Sequence, residues 1–312
     1  MKTISLKSNP AMNAFSFKSI LALALQWIGA FIAFVLSMIA ANIISPLPQF
    51  IMEKIPEAGL MSDSSALLFN GVINATILVW AARRSSLKGF ALVGQLFVLS
   101  FLAQTFQAQI ETAYFLSAFP LLQGSLEVYR LFLRGAIVSA MFVLLVTLFV
   151  GGFSRTPRKA TRFTIHADQA VRTSAWLAAV YFVLYVLFGY FVAWQSQEVR
   201  LFYGGPAELN SFADQMLSTL MNKPEFPVFQ YFRGVVWILC LIPLLKGFTG
   251  GRLELVLLSA RALGLLPTAA LAFPNPLMPA EVSLYHFWET SLSTGLFGAL
   301  CAWFVPTKVA AE

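Results

Sequence analysis

The ionisable residues with the clearest chemical potential are His286 and Glu289, which lie in the last long apolar segment of the chain. They are three residues apart and therefore share one helical face, which Ser293 extends by about one turn. A charge inside a membrane span costs on the order of 2.5–3.5 kcal/mol on insertion scales. Because the side chain of Glu289 is too short to reach the membrane surface, we predict that it is either paired or protonated.

Five further polar residues lie near the outer ends of other apolar segments. They are Gln107 and Glu111 in the third segment, Arg130 and Arg134 in the fourth, and Arg233 in the sixth. A helix rises about 1.5 Å per residue, which places all of them in the outer half of a membrane. We predict that they converge with His286 and Glu289 on one wet interior. The alternatives are that the arginines extend to lipid phosphates, that Glu111 lies in a loop, and that the glutamines join helices.

This set of residues is compatible with three kinds of function. Arginines bind carboxylates or phosphates, and histidine titrates near physiological pH, so the set suits proton-coupled transport or binding of a small anionic solute. The same residues suit an enzyme acting on a lipid or lipid-linked substrate, with His286 and Glu289 as acid and base. Sealed ion pairs would instead indicate a structural or assembly subunit. Catalytic residues are not assigned.

Several motifs are missing from the sequence. It contains no phosphate-binding Gly-Lys-Ser/Thr loop and no His-Glu-x-x-His pair, and it has only 2 histidines. Multi-histidine metal sites and haem pairs are therefore excluded, and we predict no metal and no cofactor. His166 and Asp168 lie in a basic loop and are expected to be solvated. Cys240 and Cys301 lie in apolar segments and are expected to be buried thiols.

Composition indicates a membrane protein. The 312 residues are 58% hydrophobic and 11% charged, with a mean hydropathy of +0.75, whereas soluble domains carry about 25% charged residues. The apolar residues fall in blocks long enough to span a bilayer as helices, and alternating strand-length segments are absent. We predict an all-α polytopic transmembrane bundle that forms a single integral membrane domain over residues 1–312.

About eight spans are predicted, together with one surface helix. The spans are residues 19–44, 65–82, 89–109, 129–151, 174–194, 228–248, 253–273 and 281–304. The connection after the fifth span has apolar residues at helical spacing over about 206–221. We expect an amphipathic helix there, which either lies among the outer headgroups or covers a cavity.

Charge predicts the orientation. The net charge is +7, and the lysines and arginines gather at alternate span ends rather than on one patch, which argues against nucleic acid as a partner. The positive-inside rule places both termini in the cytoplasm of a plasma (inner) membrane. The first span is too long for a signal peptide and is expected to be retained. Membrane lipids are the expected partners, Arg261 is expected to pair with Glu254 or reach headgroups, and no oligomeric state is predicted.

A weak internal repeat is also predicted. The stretch from Phe69-Asn70-Gly71 to Lys88-Gly89-Phe90 resembles the stretch from Phe232-Arg233-Gly234 to Lys246-Gly247-Phe248 in pattern. Two four-span units, 19–151 and 174–304, would then lie in the same orientation, as in some transporters. Apolar helices also resemble one another by composition alone, which is the alternative.

Overall fold

Long apolar helices build most of the chain. The computed structural model describes residues 17–57, 59–122, 125–154, 156, 163–164, 167–304 and 308–309. In that part the helices are α1 (Phe17–Ile44), α2 (Gln49–Met52), α3 (Asp63–Arg83), α4 (Gly89–Phe101), α5 (Gln107–Tyr114), α6 (Ser125–Phe149), α7 (Ala167–Phe191), α8 (Gln197–Phe202), α9 (Phe212–Asn222), α10 (Phe226–Gly247), α11 (Arg252–Leu265) and α12 (Ala280–Phe304). Two-residue strands, β1 (Phe163–Thr164) and β2 (Lys308–Val309), pair antiparallel.

Six helical segments are long and apolar enough to cross a membrane. They are Phe17–Ile44, Asp63–Arg83, Gly89–Tyr114, Leu126–Phe149, Val171–Gln195 and Phe226–Gly247. The prediction of an all-α membrane bundle is therefore confirmed, with six to eight spans. We call the end of the bundle with the connections after α1, α5, α7 and α11 the long-loop end. The opposite end, with the turns after α3 and α10, is the tight-turn end.

The last two predicted spans differ from the other six. Helix α11 stops at Leu265, and a 3-10 turn over Ala269–Ala272 follows, so the seventh predicted span is not one continuous helix. Helix α12 has 25 residues, but buried polar residues such as Glu289 and Thr294 make it less apolar. Its other face is an exposed apolar stripe formed by Leu284, Trp288, Leu292 and Leu296. This division of faces fits a span packed against the bundle on one side.

The third span is longer than predicted. A π-helical turn over Leu102–Phe106 joins α4 to α5, and the apolar helical segment runs on to Tyr114. Glu111 consequently lies in the helix and not in a loop. At the π turn α6 comes very close, because a Cβ added to Gly135 would meet the Thr105 side chain.

The predicted amphipathic helix is present as α9. It begins at Phe212, where the Ser211 hydroxyl accepts a hydrogen bond from the Asp214 N–H at 3.2 Å, a common N-terminal cap. The predicted start near Pro206 is wrong. That proline follows Gly204 and Gly205 in a turn, and Gly204 has a φ of +73°, which favours glycine.

The two halves of the bundle repeat one packing pattern. In the first half α1 packs against α3 and α6, α4 packs against α6, and α3 also touches α6. In the second half α7 packs against α10 and α12, α11 packs against α12, and α10 also touches α12. The contacts between halves match as well, since α10 touches α4 and α11 touches α3.

The two tight turns pair with each other. Ser85 and Phe248 form an antiparallel bridge. The Ser86 N–H donates to the Gly247 carbonyl at 2.7 Å, and the Thr249 N–H donates to the Arg84 carbonyl at 2.7 Å. An antiparallel bridge of this kind has a local two-fold axis through its centre.

A single sequence offset relates the matching positions. Ser85 and Phe248 are separated by as many residues as Gly71 and Gly234, and as the first residues of α4 and α11. Both glycines mark close helix contacts, because an added Cβ would meet Phe31 of α1 at Gly71 and Ala178 of α7 at Gly234. This offset matches Arg83 to Lys246, whereas the sequence comparison had aligned Lys246 with Lys88.

Candidate functional site

A cavity of about 370 Å³ lies at the long-loop end, within the second half of the bundle. Its walls come from the end of α7, the turn after α8, helix α9, the start of α10 and the first half of α12. Aromatic side chains supply much of the wall: Phe115, Tyr185, Tyr190, Trp194, Tyr203 and Phe226. His286 and Glu289 also line it.

Three polar side chains form a chain along one wall of this cavity. The Tyr203 hydroxyl lies 3.0 Å from Nε2 of His286, and Nδ1 of His286 lies 3.6 Å from Oε2 of Glu289. The Thr290 hydroxyl donates to the same carboxylate oxygen at 2.9 Å. Glu289 is only 5% exposed, so its polar surroundings come almost entirely from these groups. We call Tyr203, His286 and Glu289 the relay.

Tyr203 enters the relay as a protonated phenol. Burial raises the pKa of its phenol well above the ordinary value, and the carboxylates of Glu111 and Glu289 raise it further, while Arg233 lowers it. A protonated phenol can donate to Nε2 of His286 or accept from it, and the tautomer of the imidazole decides which. The imidazole therefore connects the cavity wall to Glu289, with one ring nitrogen facing each of them.

A buried arginine holds the turn that carries Tyr203. Arg200 is 5% exposed. Its guanidinium donates to the carbonyls of Trp194 at 2.7 Å, Gln195 at 3.0 Å, Pro206 at 3.2 Å and Ala207 at 2.6 Å. These bonds tie the segment before α8 to the segment after it and fix the backbone on both sides of Tyr203.

An ion pair with a buried arginine lies behind the aromatic wall. Arg233 is 3% exposed and meets Glu111 in a two-pronged contact, with N–O distances of 2.6 and 2.7 Å. Its Nε donates to Gln107 Oε1 at 3.2 Å, and its Nη1 also donates to Gln230 at 3.2 Å. All three donor nitrogens of the guanidinium are therefore engaged by protein atoms.

Tyr185 links the ion pair to the cavity. It lines the cavity, its hydroxyl donates to Glu111 at 3.1 Å, and the Arg233 guanidinium lies 5.5 Å from the centre of its ring. The ion pair and the relay are thus separated by the tyrosine wall and do not form one open cluster.

Two of the predicted site residues lie elsewhere. Arg134 donates to the Ser45 carbonyl and to the Asn42 side-chain oxygen, at the end of α1. Arg130 lies 3.7 Å from Glu127 on its own helix and is 41% exposed. The expectation that both arginines face the interior with Glu289 does not fit these contacts, because the exit of α1 lies in the other half of the bundle and engages Arg134.

The cavity ends in a closed floor. Below Tyr185 and Glu289, toward the tight-turn end, lie Tyr181, Trp237 and Phe297, each at most 1% exposed. The Tyr181 and Phe297 rings are in contact, with centroids 5.2 Å apart. The cavity is a dead end in this conformation.

Sequence reasoning missed the wall residues. Tyr185, Tyr203 and Trp194 were not singled out, because aromatic residues are common in membrane helices and at their ends. The signal that was available is the Tyr203-Gly204-Gly205-Pro206 run, in which a turn sequence follows a tyrosine directly.

Other predictions have mixed outcomes. Glu254 pairs with Arg84 at 2.5 Å and accepts from Trp80, whereas Arg261 stacks over Trp80, so the proposed pairing of Arg261 with Glu254 is wrong. Cys240 and Cys301 are free and buried, as predicted. His166 and the side chain of Asp168 lie outside the described residues. In the part of the chain that is described, no group of three His, Cys, Asp or Glu is arranged to hold a metal ion.

Comparisons with protein-family models, with curated proteins and with solved structures find no match. The class of the protein therefore follows from its fold alone. It is a multi-pass helical membrane protein with a closed-floor cavity at one end.

Proposed function

We propose that the protein binds an amphiphilic molecule, a lipid or a lipid-linked compound, in this cavity, and that the relay exchanges a proton with the polar group of that molecule. The observation that carries the proposal is the joining of a largely aromatic wall to His286 and Glu289 in one cavity. Binding sites for small molecules have this composition, with a mainly apolar lining and few polar groups.

The size and polarity of the cavity suit an amphiphile. Its volume of about 370 Å³ falls at the lower end of the range of about 300–1,000 Å³ found for ligand pockets. Trp194 adds a hydrogen-bond donor, since its indole nitrogen is buried and has no partner among the described residues. A ligand with an apolar body and one or two polar atoms satisfies both kinds of wall.

A small anionic solute fits the site less well. The arginines that would bind it are occupied, Arg233 by Glu111 and Arg134 by the end of α1. The cation nearest to the cavity is Lys223, whose ammonium lies 4.7 Å from the centre of the Phe115 ring. One partly buried lysine does not offset the buried carboxylate of Glu289.

Filling the cavity tests the proposal. Gly189 lines the cavity, and a Cβ added there would meet nothing within 4 Å. We expect Gly189→Trp to fold and to lose the amphiphile that copurifies with the wild type, quantified by mass spectrometry of chloroform–methanol extracts. Gly94→Trp is the matched control, because Gly94 also has open space but lies on α4, away from the cavity. Equal extracts from both variants would contradict the proposal.

The proton step has its own test. We expect His286→Gln to keep the bound amphiphile but to remove the pH dependence of its retention, because the substitution removes the group that connects Tyr203 to Glu289. Glu289→Gln should shift this pH dependence, because it removes the carboxylate facing Nδ1. An unchanged pH profile in His286→Gln would rule out the relay and leave binding intact.

The orientation that goes with this function has the long-loop end outside the cell. The tight-turn end carries Arg83, Arg84, Lys88, Lys246 and Arg252, whereas Lys54, Arg200 and Lys223 are at the long-loop end. The positive-inside rule then supports cytoplasmic termini in a plasma (inner) membrane. Membrane-impermeant maleimide should label Glu57→Cys in intact cells but not Lys88→Cys.

Proton-coupled transport is the second candidate, and the repeated packing favours it. Matching contacts in both halves and the turn bridge at their centre support two four-span units, 19–151 and 174–304, related by an axis along the membrane normal. Some transporters have such units and rock one against the other. Transport would require the floor at Tyr181 and Phe297 to open.

A further inference from the structure

Helix α9 is amphipathic, and most of the side chains that it turns toward the cavity are polar. Its polar side chains Gln215, Ser218, Thr219 and Asn222 line the cavity, and they lie on one helical face. Among the apolar side chains, Met216 also lines the cavity and Phe212 packs on α7, whereas Leu217, Leu220 and Met221 point away from the bundle. None of the residues of α9 is buried. A helix packed on a soluble core would present the opposite face to the protein.

The outward face of α9 is large and apolar. Leu217 is 60% exposed, Leu220 is 45% exposed and Met221 is 74% exposed, and Leu209, just before the helix, is 42% exposed. Such a patch on a helix is stable only when another apolar medium covers it.

The surface next to this patch indicates what covers it. Phe212 at the start of α9 stacks on Phe191 of α7, with centroids 5.5 Å apart. Phe191 is itself 58% exposed and belongs to a segment that can cross the membrane, Val171–Gln195. The patch is therefore continuous with the lipid-facing surface of α7.

We propose that α9 lies in the interface of its own membrane, with Leu217, Leu220 and Met221 among the acyl chains, and that it forms a lateral gate between the bilayer and the cavity. The role as a gate rests on the proposed function, since it names the bilayer as the source of the amphiphile. The polar face of the helix then covers the polar part of the cavity, while the apolar face excludes water from it.

The attachments of α9 are suited to opening. Before the helix, Pro206 and Ala207 are fixed by Arg200, and the Tyr190 hydroxyl donates to the Asn210 carbonyl at 2.6 Å. After the helix, Lys223 sits over the Phe115 ring. Both ends are held, but the middle has no buried side chain. Segments with little buried contact open at low free-energy cost.

The position of α9 can be measured without any ligand. We expect a bimane label on Leu217→Cys, in liposomes containing phosphatidylcholine with a doxyl group on acyl carbon 5, to be quenched several-fold more than the same label on Ser218→Cys. Cys240 and Cys301 are 0% exposed and should not react, which unlabelled wild type checks. Aqueous iodide should quench Leu217→Cys much less than Glu57→Cys, which lies in an exposed loop.

Iodide quenching of Leu217→Cys as strong as that of Glu57→Cys would overturn the membrane position. The gate is tested separately with a fluorescent single-chain probe, nitrobenzoxadiazole-labelled lysophosphatidylcholine, supplied from liposomes. Leu217→Glu should slow its entry several-fold and leave the bound amount at equilibrium unchanged, while Asp214→Glu is the control. An unchanged entry rate would overturn the gate. Absence of any bound probe in the wild type, with lipid quenching intact, would instead count against the proposed function.

Discussion

At the residue scale, the pair of buried Arg233 and Glu111 gives the clearest stability prediction. Removing one partner of a buried pair leaves an uncompensated charge and costs about 3–5 kcal/mol. We expect Glu111→Gln to lower the thermal unfolding temperature of the detergent-purified protein strongly. The joint replacement Glu111→Gln and Arg233→Met should recover part of that loss.

The pair of Arg130 and Glu127 is the comparison, because its arginine is exposed whereas Arg233 is buried. The Arg130 side chain is 41% exposed, the Glu127 side chain is 16% exposed, and their charged atoms are 3.7 Å apart. Pairs with an exposed arginine contribute about 0–1 kcal/mol, so Arg130→Met should change the unfolding temperature little. Equal losses from Arg130→Met and Glu111→Gln would show that the burial of Arg233 adds nothing to the cost of removing its partner.

Tyr203 predicts a pH dependence at the alkaline side. Because its pKa is raised in the folded state, the unfolded chain releases this proton first, near the ordinary tyrosine pKa of about 10. The contribution to stability is present below that pH and is lost as the pH rises through and above it. Unfolding of Tyr203→Phe should therefore be less sensitive to pH between about 9 and 11 than unfolding of the wild type.

The residue scale was only partly accessible from sequence. The depth of each residue within its span predicts Glu289, His286 and Arg233 as site residues, because few roles account for an ionisable side chain inside a membrane span. Depth does not give direction around the helix axis, which is why Arg134 was expected in the interior although it engages the end of α1. Tyr185 and Tyr203 carry no charge, and their role depends on contacts between distant segments.

At the element scale, three glycines distinguish helix faces that are closely packed from a helix face with open space. A Cβ on Gly234 would lie 2.9 Å from the Ala178 Cα, which cannot move alone, and one on Gly71 would lie 2.6 Å from the flexible Phe31 ring. We expect Gly234→Ala to destabilise by about 1–3 kcal/mol, and Gly71→Ala to cost less. Gly94→Ala, on an open face, should be neutral or stabilising because alanine favours helix.

Thermal unfolding of the three glycine variants side by side checks this order. The order would be contradicted if Gly94→Ala were as damaging as Gly234→Ala. The comparison also tests whether α7 and α10 are as tightly joined as the structure indicates.

Element existence was predictable, whereas element boundaries were less so. Apolar blocks give the long helices directly, since only helices satisfy backbone hydrogen bonds in lipid without a partner. The continuation of the third span to Tyr114 was missed because its polar end, with Gln107 and Glu111, resembles a loop. The side chains of Gln107 and Glu111 accept hydrogen bonds from Arg233, which lies more than a hundred residues away in the sequence.

At the scale of the whole molecule, a crosslink distinguishes the two candidate functions. Arg84 and Thr249 lie beside the turn bridge, where the Thr249 N–H donates to the Arg84 carbonyl at 2.7 Å. Neighbouring residues of two paired segments suit a disulfide, which spans Cα separations of about 4.4–6.8 Å. We expect the double variant Arg84→Cys and Thr249→Cys to crosslink on oxidation of the purified protein, as seen by a mobility shift that a reductant reverses.

The effect of the crosslink on function depends on whether the two halves must move against each other. If the site only binds or converts an amphiphile, the crosslinked protein should retain the amphiphile as the wild type does. If the halves rock against each other for transport, oxidation should abolish uptake into proteoliposomes, and reduction should restore it. Failure to crosslink would mean that the two turns do not pair, which would remove the central contact of the predicted repeat.

The sequence predicts two units in the same orientation, and the packing of the helices differs from that prediction in register. Apolar helices can be aligned in many registers, so the predicted alignment rests on the lysines of the two turns, Lys88 and Lys246. The bridge between Ser85 and Phe248 fixes one offset, because two equivalent residues can pair with each other only at the axis that relates them.

The two halves carry different polar side chains at matching positions, and this difference affects which substitutions each half tolerates. Asn70 stands where the other half has Arg233, and its side chain bonds only locally, accepting from Asn74 at 2.6 Å. If the two halves are repeats, one half can keep the packing while the other carries the reactive side chains. Saturation mutagenesis should then find the outer third of the first half permissive, and the same depth of the second half intolerant.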